Sequence, residues 1–108
     1  MNSNVIFSEL QSVIEARMTS DASTSYVAKL HGQGVDAILK KVAEEAGEVV
    51  IAGKNQDSDA LCREVADLWF HCMVLLAHKG LSVKNVQDEL AARFGRSGIE
   101  EKNNRKVT

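Results

Sequence analysis

Two acidic pairs stand close together in the chain, Glu45 with Glu48 and Glu64 with Asp67. In each the partners are three residues apart, a spacing that sets both carboxylates on one face of an α-helix. Like charges at that spacing repel, so something positive should accompany them. Four carboxylates converging from two helices form an all-oxygen donor set, which hard divalent cations such as Mg²⁺, or alternatively Mn²⁺, prefer. Zinc is less well suited, because neither cysteine joins the cluster. Di-iron bundles use Glu-x-x-His motifs, and no histidine stands three residues after Glu45, Glu48 or Glu64.

The first pair belongs to the stretch "KKVAEEAGEVVIAGK". At about 100° per residue, Ile38, Val42, Ala46, Val49 and Gly53 share an apolar arc that Leu39, Ala43 and Val50 widen. Glu45 falls at the border of that arc, Glu48 about 60° further round with Lys41 between them, and Glu44 points further outward. The second pair sits on a segment whose apolar residues cover most of the circumference. Such a helix is expected to be buried on several sides. Apart from Arg63, its polar groups collapse into a stripe of Glu64, Asp67, His71 and His78. Carboxylates held there unpaired would cost several kcal/mol, so cations, protons or strong hydrogen bonds must compensate them. His71 reads as a hydrogen-bonded interior histidine, and Trp69 and Phe70 as core or interface; His31 and His78 carry no functional signal.

These segments belong to an all-α chain of four to five helices. The 108 residues include no proline and no alternating run of the kind a half-buried strand needs. The spacing predicts a first helix over about 4 to 18 and a short turn of structure before Gly32 and Gly34. A second helix runs from Asp36, as N-cap, to Gly53 or Lys54, and a third spans about 58 to 79 and closes at Gly80. Ser82 caps a fourth, with Val83, Val86, Leu90 and Phe94 on one face. The polar tail from 95 to 108 is expected to be loose. Residues 1–108 form one domain, and a helix apolar all round in so short a chain implies completion by homo-oligomerisation, most simply a homodimer.

The formal net charge of −2 excludes a general nucleic-acid binder, since no basic stripe is available to replace counterions. No apolar run is long enough to span a bilayer, and the start lacks the order of a secretion signal. A cytoplasmic location follows as the expectation. Cys62 and Cys72 lie about 15 Å apart along one helix, too far to bridge, and read as reduced, packed thiols.

The E-E-x-x-E string followed by E-x-x-D resembles the signature of the all-α, MazG-like nucleoside triphosphate pyrophosphohydrolase superfamily. Within it, "GVDAILKKVAEEAGEVVIAGKN", "EVADLWFHCMVLLAHKGLSVKNV" and "RFGRSGIEEKNNR" are similar to the phosphoribosyl-ATP pyrophosphatase family of histidine biosynthesis. The resemblance covers about residues 25 to 105. It implies Mg²⁺-dependent hydrolysis of a phosphoanhydride, with Glu45, Glu48, Glu64 and Asp67 as metal ligands. Glu44 would hold a second ion or orient the attacking water. Lys41, Lys40 and Lys54 would contact phosphate oxygens, and Ser25, Tyr26, Arg93 and Arg96 the ribosyl or base end of a nucleotide substrate. Two positions depart from the family pattern: Val27 stands where Thr is usual and Phe70 where Tyr is usual. Two other readings stay open on the sequence, a house-cleaning pyrophosphohydrolase acting on other nucleotides and a non-catalytic helical dimerisation module with a structural ion. Dependence on a separate cyclohydrolase partner is also open.

Overall fold

The structure, a computed structural model, describes residues 5–94. It is all-helical there: α1 (Ile6–Arg17), α2 (Tyr26–Gln33), α3 (Val35–Lys54), α4 (Ser58–His78) and α5 (Val83–Ala92). The segment expected to be a loose tail, 95 to 108, and with it Arg96, lies outside the described residues.

Local chemistry sets the helix boundaries. Ser25 caps α2, its Oγ accepting from the Ala28 N–H at 3.2 Å. Gly34 alone separates α2 from α3, with φ at 100°, a conformation that side chains other than glycine's hydrogen rarely tolerate. The sequence placed the start of α3 at an Asp36 cap. The helix instead begins at Val35 behind Gly34, and Asp36 sits in the first turn, where the helix dipole favours a negative charge. Gly32 does not end α2 but lies within it. Three residues link α3 to α4, and Asp57 Oδ1 caps α4 by accepting from the Ala60 N–H at 3.1 Å. Gly80, with φ at 74°, ends the turn that follows α4. Ser82 donates its N–H to Asn85 Oδ1 at 2.9 Å as α5 begins.

So short a link folds α3 and α4 into a hairpin, and these two helices make the most extensive contact in the bundle. The core gathers Ile14 from α1, Val27 and Leu30 from α2, Ile38 from α3, and Met73, Val74 and Ala77 from α4. Phe7, Leu10, Phe70 and Val83 close around it. Two polar ties cross between helices. Gln11, itself buried, accepts the Val83 N–H at 3.3 Å, and His31 Nδ1 lies 2.8 Å from His78 Nδ1, joining the end of α2 to the end of α4.

The expectation that α4 is buried all round is not met within one chain. Its buried residues, His71, Met73, Val74 and Ala77, all lie in the C-terminal half, while Trp69 is 53 % exposed. On α3 the widened part of the apolar arc is also open, with Leu39 and Val50 exposed, and Ile51 outside that arc is exposed as well. α1, α2 and α5 are too short to wrap the whole hairpin. The expected face of α5 is likewise uncovered, as Val83 packs inward but Val86, Leu90 and Phe94 are exposed. Cys62 is exposed too, against the expectation of packing, whereas Cys72 is half-buried and burial pushes its thiol pKa up.

Ile38, fully covered at the start of the hairpin, should cost about 2–5 kcal/mol of stability when cut to alanine. Gly34→Ala should cost about 1–3 kcal/mol through backbone strain alone. Urea unfolding followed by circular dichroism measures both, as a lowered midpoint with an unchanged slope.

Candidate metal centre

The hairpin brings the acidic residues of α3 and α4 together. One carboxylate oxygen from each of Glu45, Glu48 and Glu64 lies within 4.8 Å of the others. Glu45 is buried at 7 % exposure and Glu64 half-buried, while Glu48 is exposed. Glu48 is therefore open to water, where its wheel position suggested that it would flank the core.

Compensation inside the protein is partial. Lys41 Nζ stands 3.5 Å from Glu45 Oε1 and 3.4 Å from Glu44 Oε2, and is the positive partner that the glutamate cluster calls for. Glu45 Oε2 and Glu64 Oε2, both buried, have no hydrogen-bond partner. A buried acceptor left so costs about 1–3 kcal/mol, and more when it carries charge. A divalent cation fits this arrangement. Octahedral Mg²⁺ holds oxygens at about 2.1 Å, hence about 3–4 Å from one another, so a small contraction of the three carboxylates would suffice.

The other expected residues distribute unevenly. Asp67, one turn beyond Glu64, is exposed, and its carboxylate stands outside the close group of three. Its carbonyl oxygen is 2.8 Å from His71 Nδ1. Glu44 turns toward Lys41 and Lys40, the latter 4.0 Å away, and away from the three grouped carboxylates. Lys54 ends α3, about 9 Å along the axis beyond Glu48. Arg93 is engaged on α5 with Glu89 at 3.0 Å.

Ser25 and Tyr26 open α2 beside the acidic hairpin. The Tyr26 hydroxyl is 2.7 Å from Nε2 of the buried His71, and its ring lies flat along Phe70 at 6.4 Å between centroids. Desolvation, with help from the charges of Glu45, Glu44 and Asp67, pushes the phenol pKa up, against an opposing pull from Lys41. The Tyr26 oxygen in turn, followed by Glu44 and Glu45, holds the Lys41 ammonium above its ordinary value, against burial. Val27 is buried in the core, and Phe70 stacks along the Tyr26 ring. On the other side of Tyr26 and Phe70 is a cavity of about 390 Å³ that Arg17, Ser20, Thr24, Ser25 and Val27 also line. Arg17 had no sequence signal. It ends α1 far upstream of the acidic motif, and only folding brings it beside Tyr26.

A family model described as phosphoribosyl-ATP pyrophosphohydrolase matches residues 7–94. The chain belongs to the phosphoribosyl-ATP pyrophosphohydrolase family. A phosphoribosyl-ATP pyrophosphatase of Hydrogenovibrio crunogenus is 52 % identical over 107 residues, covering 95 % of each chain. One of Nitrosospira multiformis is 56 % identical over 102 residues, covering 94 % of this chain and 84 % of its own. One of Neisseria gonorrhoeae is 53 % identical over 97 residues, covering 90 % and 91 %. The phosphoribosyl-ATP pyrophosphohydrolase match takes in all four acidic residues, Lys41, Tyr26 and the cavity arginine, and stops before Arg96.

Calorimetric titration with Mn²⁺ should show binding that Glu45→Gln and Glu64→Gln each weaken roughly tenfold or more, the loss of one charged donor. Tyr26 is the single tyrosine, so phenolate absorbance reports it alone. The midpoint should lie above 10 in the folded protein and return to about 10 in urea. Because the folded value is the higher one, the associated stabilisation is complete below about pH 10 and disappears as pH rises through the folded value.

Proposed function

We propose that the protein hydrolyses phosphoribosyl-ATP to phosphoribosyl-AMP and pyrophosphate in histidine biosynthesis, with Mg²⁺, or Mn²⁺ in its place, held by Glu45, Glu48, Glu64 and Asp67. The observation that carries this reading is the group of three carboxylates with two buried oxygens lacking any partner. The names of its relatives supply the substrate. Bound there, the cation would offset charge on the leaving pyrophosphate and make a water acidic enough to attack.

The reaction consumes one water and breaks one phosphoanhydride bond. An acidic site repels a polyphosphate, so the chain's own cations must help to receive it. Lys41, already at the carboxylates, and the more exposed Lys40 are the groups that would bind phosphate oxygens. Asp67 stands close enough in sequence to Glu64 to join the ligands by a change of side-chain rotamer. Glu44, paired with lysines and open to water, is suited to orienting the attacking water. Ser25, Tyr26 and the Arg17 cavity flank this centre on the α2 side and offer room for the ribosyl end. Lys54 would add a phosphate contact, and Arg93 and Arg96 would hold the ribosyl or base end.

The exposed apolar residues of α3 and α4, among them Leu39, Val50, Ile51 and Trp69, favour a homodimer that lays two hairpins together. The same face would then complete the cover that α4 lacks. Among the described residues no helix is long and apolar enough to cross a membrane, which suits a cytoplasmic enzyme.

Pyrophosphate release from phosphoribosyl-ATP should require Mg²⁺ and exceed release from ATP. Glu48→Gln and Asp67→Asn should each lower kcat by a factor of about 100 or more with helicity retained; unchanged turnover in either removes that residue from the ligand set. Sedimentation at micromolar concentration should give a dimer, and a stable monomer would contradict the assembly.

A further inference from the structure

Phosphoribosyl-ATP carries phosphate at two ends. The triphosphate would have the carboxylate centre and its cation, but the monoester on the phosphoribosyl group, which ATP lacks, needs fixed positive charge and hydrogen-bond donors of its own. The cleft against Phe7 and Trp69 is lined mainly by apolar side chains. The one beside Ser82 has a lysine, Lys84, already paired with Asp88 at 2.9 Å. The cavity of about 390 Å³ against Tyr26 and Phe70 is different: no carboxylate lines it, the hydroxyls of Ser20, Thr24 and Ser25 do, and Arg17 stands in its wall. Among the described residues nothing pairs with the Arg17 guanidinium. Asp21, in the segment between α1 and α2, is occupied elsewhere, its Oδ1 accepting the N–H and the hydroxyl of Ser23 at 2.9 and 2.8 Å.

We propose that this cavity holds the phosphomonoester of the phosphoribosyl group, and that Arg17 is the residue that selects phosphoribosyl-ATP over a plain nucleoside triphosphate. The inference rests on the reading of phosphoribosyl-ATP as the substrate. A guanidinium offers paired N–H groups to two phosphate oxygens at once, which an ammonium does not. Ser25 Oγ accepts from the Ala28 N–H, so its own proton is left for another acceptor. The N–H groups of Tyr26 and Val27, at the start of α2, precede any carbonyl that their helix could offer and have no acceptor among the described residues. Both residues line the same cavity, so they add to what Arg17 supplies. The volume leaves room for the sugar beside its phosphate, against the rings of Tyr26 and Phe70. An arginine that only answered the negative end of α1, which it closes, would make no distinction between nucleotides.

Ribose 5-phosphate is the probe. An NMR titration of the intact protein should show binding that needs no Mg²⁺, survives Glu45→Gln and weakens roughly tenfold to a hundredfold in Arg17→Met, the loss of a charge-assisted contact, with Arg17→Lys between the two. No binding at millimolar concentration, binding that requires Mg²⁺, or binding that Arg17→Met leaves intact overturns the proposal. In turnover, Arg17→Met should raise KM for phosphoribosyl-ATP by a similar factor with little change in kcat, while the inhibition constant of ATP stays as in the wild type. An equal shift in both constants would mean that Arg17 attracts any nucleotide or only supports the fold, and would also overturn it. A wild-type protein that binds ribose 5-phosphate but does not turn over phosphoribosyl-ATP would defeat the functional reading and leave the cavity's ligand standing.

Discussion

A carboxylate inside a helix pair is the constraint around which the rest is arranged. Glu45 is buried where α3 meets α4, and its charge is shared with one lysine on one oxygen only. Burial of an ion without compensation is among the most expensive things a small domain can do. The surroundings answer that cost in kind. Glu48 and Glu64 each bring a carboxylate oxygen within 4.8 Å of one from Glu45, a grouping that positive charge bound from outside would compensate. The short link between α3 and α4 then matters chemically as well as topologically, because it brings the two motifs into one hairpin.

Much of this was legible in the sequence. Ser82 caps the last helix as its side chain suggests, and the apolar period put Ile38 in the core. The E-x-x-E and E-x-x-D spacings pointed to facing carboxylates, and three of the four do gather. Exposure was harder to read, since a wheel gives direction but not what stands opposite. Glu48 and Trp69 are exposed although each has a neighbour on another helix, Glu64 for the first and Phe7 for the second. The Asp36 cap was misplaced for a local reason: Gly34 can start a helix without a side chain, and composition does not announce its φ.

Contacts between distant segments escaped the sequence altogether. The bond between Tyr26 and His71 spans 45 positions, and that between His31 and His78 spans 47. No periodicity within one helix encodes such a pairing. Both histidines on α4 sit on the same narrow stripe as Glu64 and Asp67, so the stripe that looked acidic is also the seat on which α2 is tied down. Arg17 belongs with these, a residue whose interest comes from the cavity it lines.

The single-residue joint at Gly34 leaves α2 no slack relative to α3. With its far end tied at Tyr26 to His71, α2 cannot swing away from the carboxylates as a hinged flap on a long tether would. On the proposed function, substrate would meet α2 as a fixed wall beside the carboxylates. Reshaping it would take changes to side chains such as Phe70 and Arg17, because the peptide geometry at Gly34 holds the helix itself at a set inclination.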